Sequence, residues 1–162
     1  MNNSSSYYIV LDAAKMHTRI EEAKQFNRQH SCMYKGKAEE KLYMVAPWLF
    51  TYPHPSNFAE WYLANSGQQN WGIILESTQN FKTVYLHLKK FLRVKTEDGQ
   101  RLYFRFYDPR VLPTFLETAD EYQLKEFFGP IDKYILETTD RNIVEYKLNG
   151  NQLIKADSEF YL

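Results

Sequence analysis

Residues 71 to 93 place the tightest constraint on how this chain can fold. "WGIILES" (71–77) is a compact apolar run with flanking Gly and Ser, which reads as a buried strand. Directly after it, over 78–93, Phe81, Val84, Tyr85, Leu88, Phe91 and Leu92 recur at helical spacing. Lys82, His87, Lys89, Lys90 and Arg93 take the other faces, so His87 is expected to be solvated. A buried strand followed at once by a one-sided helix needs a layered domain, because the apolar stripe of the helix must be covered by a sheet or another helix. The pattern then changes again. "EDGQ" (97–100) holds the Asp-Gly pair of a tight hairpin turn and joins "FLRVKT" to "RLYFRFYD", with Val94 to Thr96 continuing as a strand.

The same reading extends to both ends. Residues 1–6 are polar and expected to form a disordered tail, and 7–162 a single domain. "YYIVLDA" (7–13) suits a buried strand. Residues 14–28 read as a helix with Met16, Ile20 and Ala23 on one face and a possible capping box at Thr18 and Glu21. "SCMYKG" (31–36) reads as a second short strand and "KAEEK" as a charged turn. "LYMVAPWLFTY" (42–52) reads as an edge strand, because Pro47 interrupts it and "PHPSN" follows. A helix is expected over 56–67, capped by Ser56 or Asn57 and closed by Gly67. After Pro109 a helical run extends to about 117, and Thr118 with Glu121 marks a second capping box for a short helix stopping at "FFGP" (127–130). The tail "KYILETTDRNIVEYKLNGNQLIKA" reads as two or three strands with turns at "TDRN" and "NGN". The fold class is therefore α+β, or mixed α/β: one domain with a sheet of several short strands, three to five helices and antiparallel C-terminal strands.

Composition narrows the function classes. At 162 residues with 44% apolar and 17% aromatic content, the chain can build one core. Twenty acidic and twenty basic side chains cancel, so no global field gathers nucleic acid or an anionic membrane, and partners must be recognised locally. One cysteine, Cys32, points to a compartment where thiols stay reduced, and "MNNSSSYYIVLDAAK" lacks the features of a secretory signal. The expectation is a cytoplasmic protein that is neither exported nor inserted in a membrane.

Signs of chemistry are sparse. There is no G-x-S-x-G elbow, and Cys32 near His30 reads as a lone core cysteine rather than half of a catalytic pair. His17, His30, His54 and His87 are scattered, so no metal is expected. No glycine loop is built to cradle phosphate, so no cofactor is expected either. "HLKKFLR" (87–93) interleaves aromatics and cations but on a neutral protein reads as the solvated face of an amphipathic helix, not a nucleic-acid site. Glu76, Asp98, Asp108 and Asp120 sit in unrelated contexts. The weight moves from enzyme to binding protein; the enzymatic alternative is a small hydrolase assembled from distant residues such as His54, Glu76 and Arg105.

"LYFRFYDPRVLPTF" (102–115) raises the question most sharply. On a strand Leu102, Phe104 and Phe106 share one face, and Tyr103, Arg105 and Tyr107 the other. Asp108 before Pro109 reads as an N-cap with proline at the first helical position. A guanidinium among tyrosine rings needs an acceptor, expected from Asp108 or a helix C-terminal carbonyl.

Taken together, "WGIILES", the helix with "HLKKFLRV", "DGQRLYFRFYDPRVLPTFL" and "QLKEFFGPI" resemble the family catalogued as domain of unknown function 4123, whose members look like type VI secretion effector chaperones, or adaptors. The most specific string is Arg105, Phe106, Tyr107, Asp108, Pro109 and Arg110, with Trp71 opening the strand. "YYIVLDAA" is similar to the family's opening strand, with Ala13 where glycine is common. The resemblance runs over roughly residues 8–131; many relatives continue into a second lobe. It implies a non-enzymatic bacterial protein that binds a toxic effector, with or without membrane-inserting segments, and helps load it onto the valine-glycine-repeat spike of the secretion tube. The aromatic excess suggests a client-binding patch including some of Trp48, Phe50, Tyr52, Trp61 and Tyr62, with core packing as the alternative for the same residues. An immunity protein that neutralises a toxin is the other reading of this class.

Overall fold

In the computed structural model, which describes residues 4–34, 36 and 40–160, the run "SYYIVLD" forms β1 (Ser6–Asp12). Its continuous apolar character fits its position, buried on both faces with neighbours on both sides. On one side it pairs antiparallel with β3 (Pro47–Thr51), which pairs with β2 (His30–Cys32). On the other it pairs with β4 (Gly72–Ser77), followed by β7 (Lys133–Glu137), β8 (Ile143–Asn149) and β9 (Gln152–Asp157). The resulting seven-stranded sheet runs β2-β3-β1-β4-β7-β8-β9, antiparallel throughout. A second sheet is the hairpin of β5 (Arg93–Lys95) and β6 (Arg101–Tyr103), turned through Asp98 and Gly99.

Helices cover both faces. α1 (Ala13–Met16), α2 (Arg19–Phe26) and α3 (Asn57–Asn65) bury Met16, Ile20, Ala23 and Phe58 against Ile9, Leu11, Phe50 and Ile74. On the other face α4 (Phe81–Lys89), α5 (Leu112–Thr118) and α6 (Glu121–Phe128) bury Val84, Leu88, Leu112, Leu116 and Phe127 against Val10, Leu49, Ile73 and Leu75. The period-2 alternation of β1 and β4 divides the residues between these two cores. The α+β single domain expected from the sequence is the observed one. Among the described residues, no helix is long and apolar enough to cross a membrane.

Several boundaries move. The helix expected over 14–28 splits at His17, whose φ of 54° leaves the helical region, so the described residues hold six α-helical segments where three to five were expected. Thr18 makes no side-chain cap. The second capping box forms two residues later than expected: the Asp120 carboxylate accepts from Gln123 N at 2.8 Å and Gln123 Oε1 accepts from Asp120 N at 2.9 Å. β3 is an interior strand, not an edge, because Pro47 is its first residue and the carbonyl it retains accepts from Met33 N at 2.9 Å. Residues 40–45 form a 3-10 turn rather than part of that strand. Of the expected tail, residues 1–3 lie outside the described residues and Ser6 already opens β1; Lys35 and residues 37–39, in the strand end and turn expected near 31–41, also lie outside them.

His87 is corrected outright. It is buried, and its Nε2 lies 2.7 Å from the Phe127 carbonyl, which ties α4 to α6. Burial pushes its pKa below the ordinary 6.5, against the opposing pull of the Phe127 carbonyl. The unfolded chain therefore takes up a proton before the folded one does. Stability is complete above about pH 6.5 and falls as the pH drops through the unfolded value towards the folded one. His87→Gln is expected to flatten that part of the melting-temperature profile against pH; an unchanged slope between pH 7 and 5 would contradict the assignment.

Candidate functional site

At the end of β1, Asp12 is 1% exposed and fully engaged. Its Oδ1 accepts from Ala14 N at 2.9 Å, capping α1, and its backbone N donates to the Trp71 carbonyl at 2.8 Å. The other carboxylate oxygen takes the guanidinium of Arg105. The aromatic setting expected for Arg105 is present, since its guanidinium lies 5.9 Å from the Tyr107 ring centre. Its acceptor is not Asp108 or a helix terminus but a carboxylate 93 residues earlier in the chain. Tyr107 is buried; burial and the adjacent Tyr34 push its hydroxyl pKa far above 10.

Asp108 is corrected as well. α5 begins at Leu112, so Asp108 is not its N-cap. Its carboxylate instead closes a turn by accepting from Arg110 N at 2.9 Å, and it is gripped by Arg110 Nε at 3.0 Å and Nη2 at 2.7 Å. Its backbone carbonyl accepts from Val111 N and Leu112 N, leading the chain into α5. Burial raises the Asp108 pKa, but the hydrogen bonds from Arg110 outweigh burial and hold it below the ordinary carboxylate range. Pro109, between them, lines a cleft of about 240 Å3 with Trp71, Gly72, Tyr62 and Glu137.

Five residues singled out in the sequence thus converge where β1 ends and β4 begins: Trp71, Arg105, Asp108, Pro109 and Arg110. The sixth member, Asp12, was not singled out; the acidic residue ending an apolar strand in "YYIVLDAA" was the available signal. Chemically the arrangement presents two guanidiniums, 42% and 45% exposed, each anchored by a buried carboxylate. Rigid forks of this kind suit recognition of carboxylate groups on a partner.

A family model described as domain of unknown function (DUF4123) matches residues 7–126, from β1 into α6. The chain belongs to this family. No curated protein and no solved structure matches it. Every member of the Asp12–Arg105 and Asp108–Arg110 pairs lies inside the DUF4123 span, whereas β7, β8 and β9 lie outside it.

The exposed aromatic patch expected within this DUF4123 domain is not there. Trp48, Phe50, Tyr52 and Tyr62 are buried, and half-buried Trp61 stacks with Phe26, Phe58 and Trp71. The reason is the interior position of β3, over which α3 lays its apolar side. The Tyr52 hydroxyl is buried with no hydrogen-bond partner among the described residues, a costly state for a polar group. Tyr52→Phe is therefore expected to leave the melting temperature unchanged or to stabilise the fold by up to about 1 kcal/mol; a clear loss would reveal a bond to this hydroxyl.

The hydrolase constellation does not assemble. Glu76 pairs with Lys133 at 3.6 Å and lies beside Tyr7, near one end of β1, whereas Arg105 is fixed at the other end by Asp12. Five residues of strand, about 17 Å, separate the two positions. Cys32 Sγ donates to the Tyr34 carbonyl and His30 Nδ1 engages the Asn27 carbonyl, so both side chains are tied to nearby backbone.

Proposed function

We propose that this DUF4123 protein is a non-enzymatic adaptor of type VI secretion. It binds one toxic effector in the bacterial cytoplasm, keeps it soluble, and helps load it onto the valine-glycine-repeat spike without being secreted itself. The observation that carries the reading is the anchored guanidinium pair, Arg105 and Arg110, on the string by which the sequence resembles such adaptors. Arginine and tyrosine dominate the energetics of protein interfaces, and half-exposed Tyr103 lies beside this pair in sequence. A client with apolar or membrane-inserting segments would need such a partner before export.

The test is genetic and biochemical. Deleting the gene is expected to stop secretion of one specific effector while the tube still fires, and the tagged protein is expected to co-purify with that effector and with a spike protein. Normal secretion of every effector would overturn the reading. Death of the deletion strain under attack by its siblings would identify an immunity protein instead.

A further inference from the structure

The hairpin of β5 and β6 stands apart from the main sheet, and all six of its strand residues are exposed. Its register puts Arg93 opposite Tyr103 and Lys95 opposite Arg101 on one face, and Val94 opposite Leu102 on the other. One face is therefore cationic and the other apolar. Val94 is 41% and Leu102 48% exposed. Two-stranded ribbons are marginal in water, and like charges directly across a ladder weaken them further. Lys95 and Arg101 form such a pair, and among the described residues neither has a carboxylate partner. Among the described residues no further strand pairs with the ribbon, and the outer edge of β6 keeps its backbone donors and acceptors open.

The charge around this arm is concentrated. Residues 82–110 hold eight Lys and Arg against three Asp and Glu, while the whole chain balances twenty against twenty. Of those three acids, Asp108 is buried against Arg110. The arm packs on Tyr34, whose ring lies 5.5 Å from that of Tyr103, and Tyr34 in turn adjoins buried Tyr107 beside Arg105.

We propose that this arm is a docking edge for an extended acidic segment of a partner protein, added as a third strand to the β5–β6 ribbon. Its carboxylates would meet Lys95 and Arg101, and its alternate apolar side chains would meet Val94 and Leu102. Main-chain bonds supply affinity in this mode of recognition and alternate side chains supply specificity. Charge complementarity favours a foreign acidic strand over a second copy: the exposed main-sheet edges here are β2, "HSC", and β9, where Lys155 is followed by Asp157, and neither offers an acidic run. The apolar face and the open edge of β6 favour a peptide over nucleic acid. The inference rests on the reading of the chain as a partner-binding protein and names the chemistry of one partner segment.

The probe is a fluorophore-labelled synthetic peptide of repeating Glu-Val-Glu-Thr, titrated with the whole protein. Saturable binding that weakens with added salt is expected. Replacing Glu by Gln, or inserting proline at every fourth position with the charge kept, is expected to weaken it about tenfold or more. On the protein side, joint Lys95→Glu and Arg101→Glu should do the same, and Lys147→Glu on β8 should not. Equal binding of the Gln or proline peptide, tighter binding of a single-stranded oligonucleotide, or dimerisation of the chain that this double variant abolishes would each overturn the proposal. The peptide variants are read on the wild-type protein, so misfolding of the double variant cannot blur the answer. Loss of peptide binding with effector co-purification intact would reject this edge and leave the adaptor reading standing; peptide binding in a protein whose deletion leaves secretion untouched would do the reverse.

Discussion

Gly72→Ala is expected to cost about 3 kcal/mol or more, and to leave little folded protein at 37 °C. Gly72 faces Leu11 across the β1–β4 ladder at the centre of the main sheet. A Cβ placed on it would lie 1.9 Å from the Val10 carbonyl oxygen and 2.9 Å from the carbonyl carbon. Both are backbone atoms, so no rotamer can relieve the clash, and the two strands would have to part. Parting them also pulls the Trp71 carbonyl from Asp12 N and disturbs the cap of α1. The check is urea denaturation of the variant beside Gly67→Ala, whose added Cβ meets nothing within 4 Å. Similar curves for the two would contradict the proposed close approach.

The second large effect is Arg105→Ala, at about 2–3 kcal/mol. Removing the guanidinium leaves Asp12 buried with one oxygen stripped of its charged donor. The cost falls below that of a fully buried pair because Arg105 is 42% exposed and water already screens part of the attraction. Arg105→Lys should recover only part of the loss, since an ammonium lacks the planar fork. Asp12→Asn combined with Arg105→Ala should cost less than the two separate changes together, because the first removes the charge that the second strands. Additive melting data would mean that the two side chains are not coupled.

How much of this was legible in the sequence depended on how locally each feature is encoded. β1, β4, α4, the Asp98-Gly99 hairpin and the C-terminal strands follow from periodicity and turn residues within a few positions of one another. Pro47 misled because proline marks either a sheet edge or the first residue of a strand, and only the pairing of β2 on the side of β3 away from β1 separates the two. Thr118 and Asp120 both begin a cap-like pattern; the helix takes the one whose backbone is extended, Asp120. His87 faces "polar" by helical spacing, yet the element that buries it arrives 40 residues later. The same distance effect hid Asp12 as the partner of Arg105. The aromatic segment 48–62 was readable as apolar but not as covered, because coverage depends on which strand lies beside which.

The placement of β1 also has a consequence for synthesis. This strand is synthesised before both its neighbours: β3 ends at Thr51 and β4 at Ser77. At about 5–20 residues per second, a ribosome leaves Tyr8, Ile9, Val10 and Leu11 without strand partners for several seconds. The tie from Asp12 to Arg105 takes longer still. A nascent chain of this protein is thus itself in need of shelter until its middle third has emerged, and strains with reduced holdase capacity should accumulate it as aggregate even when the finished fold is stable.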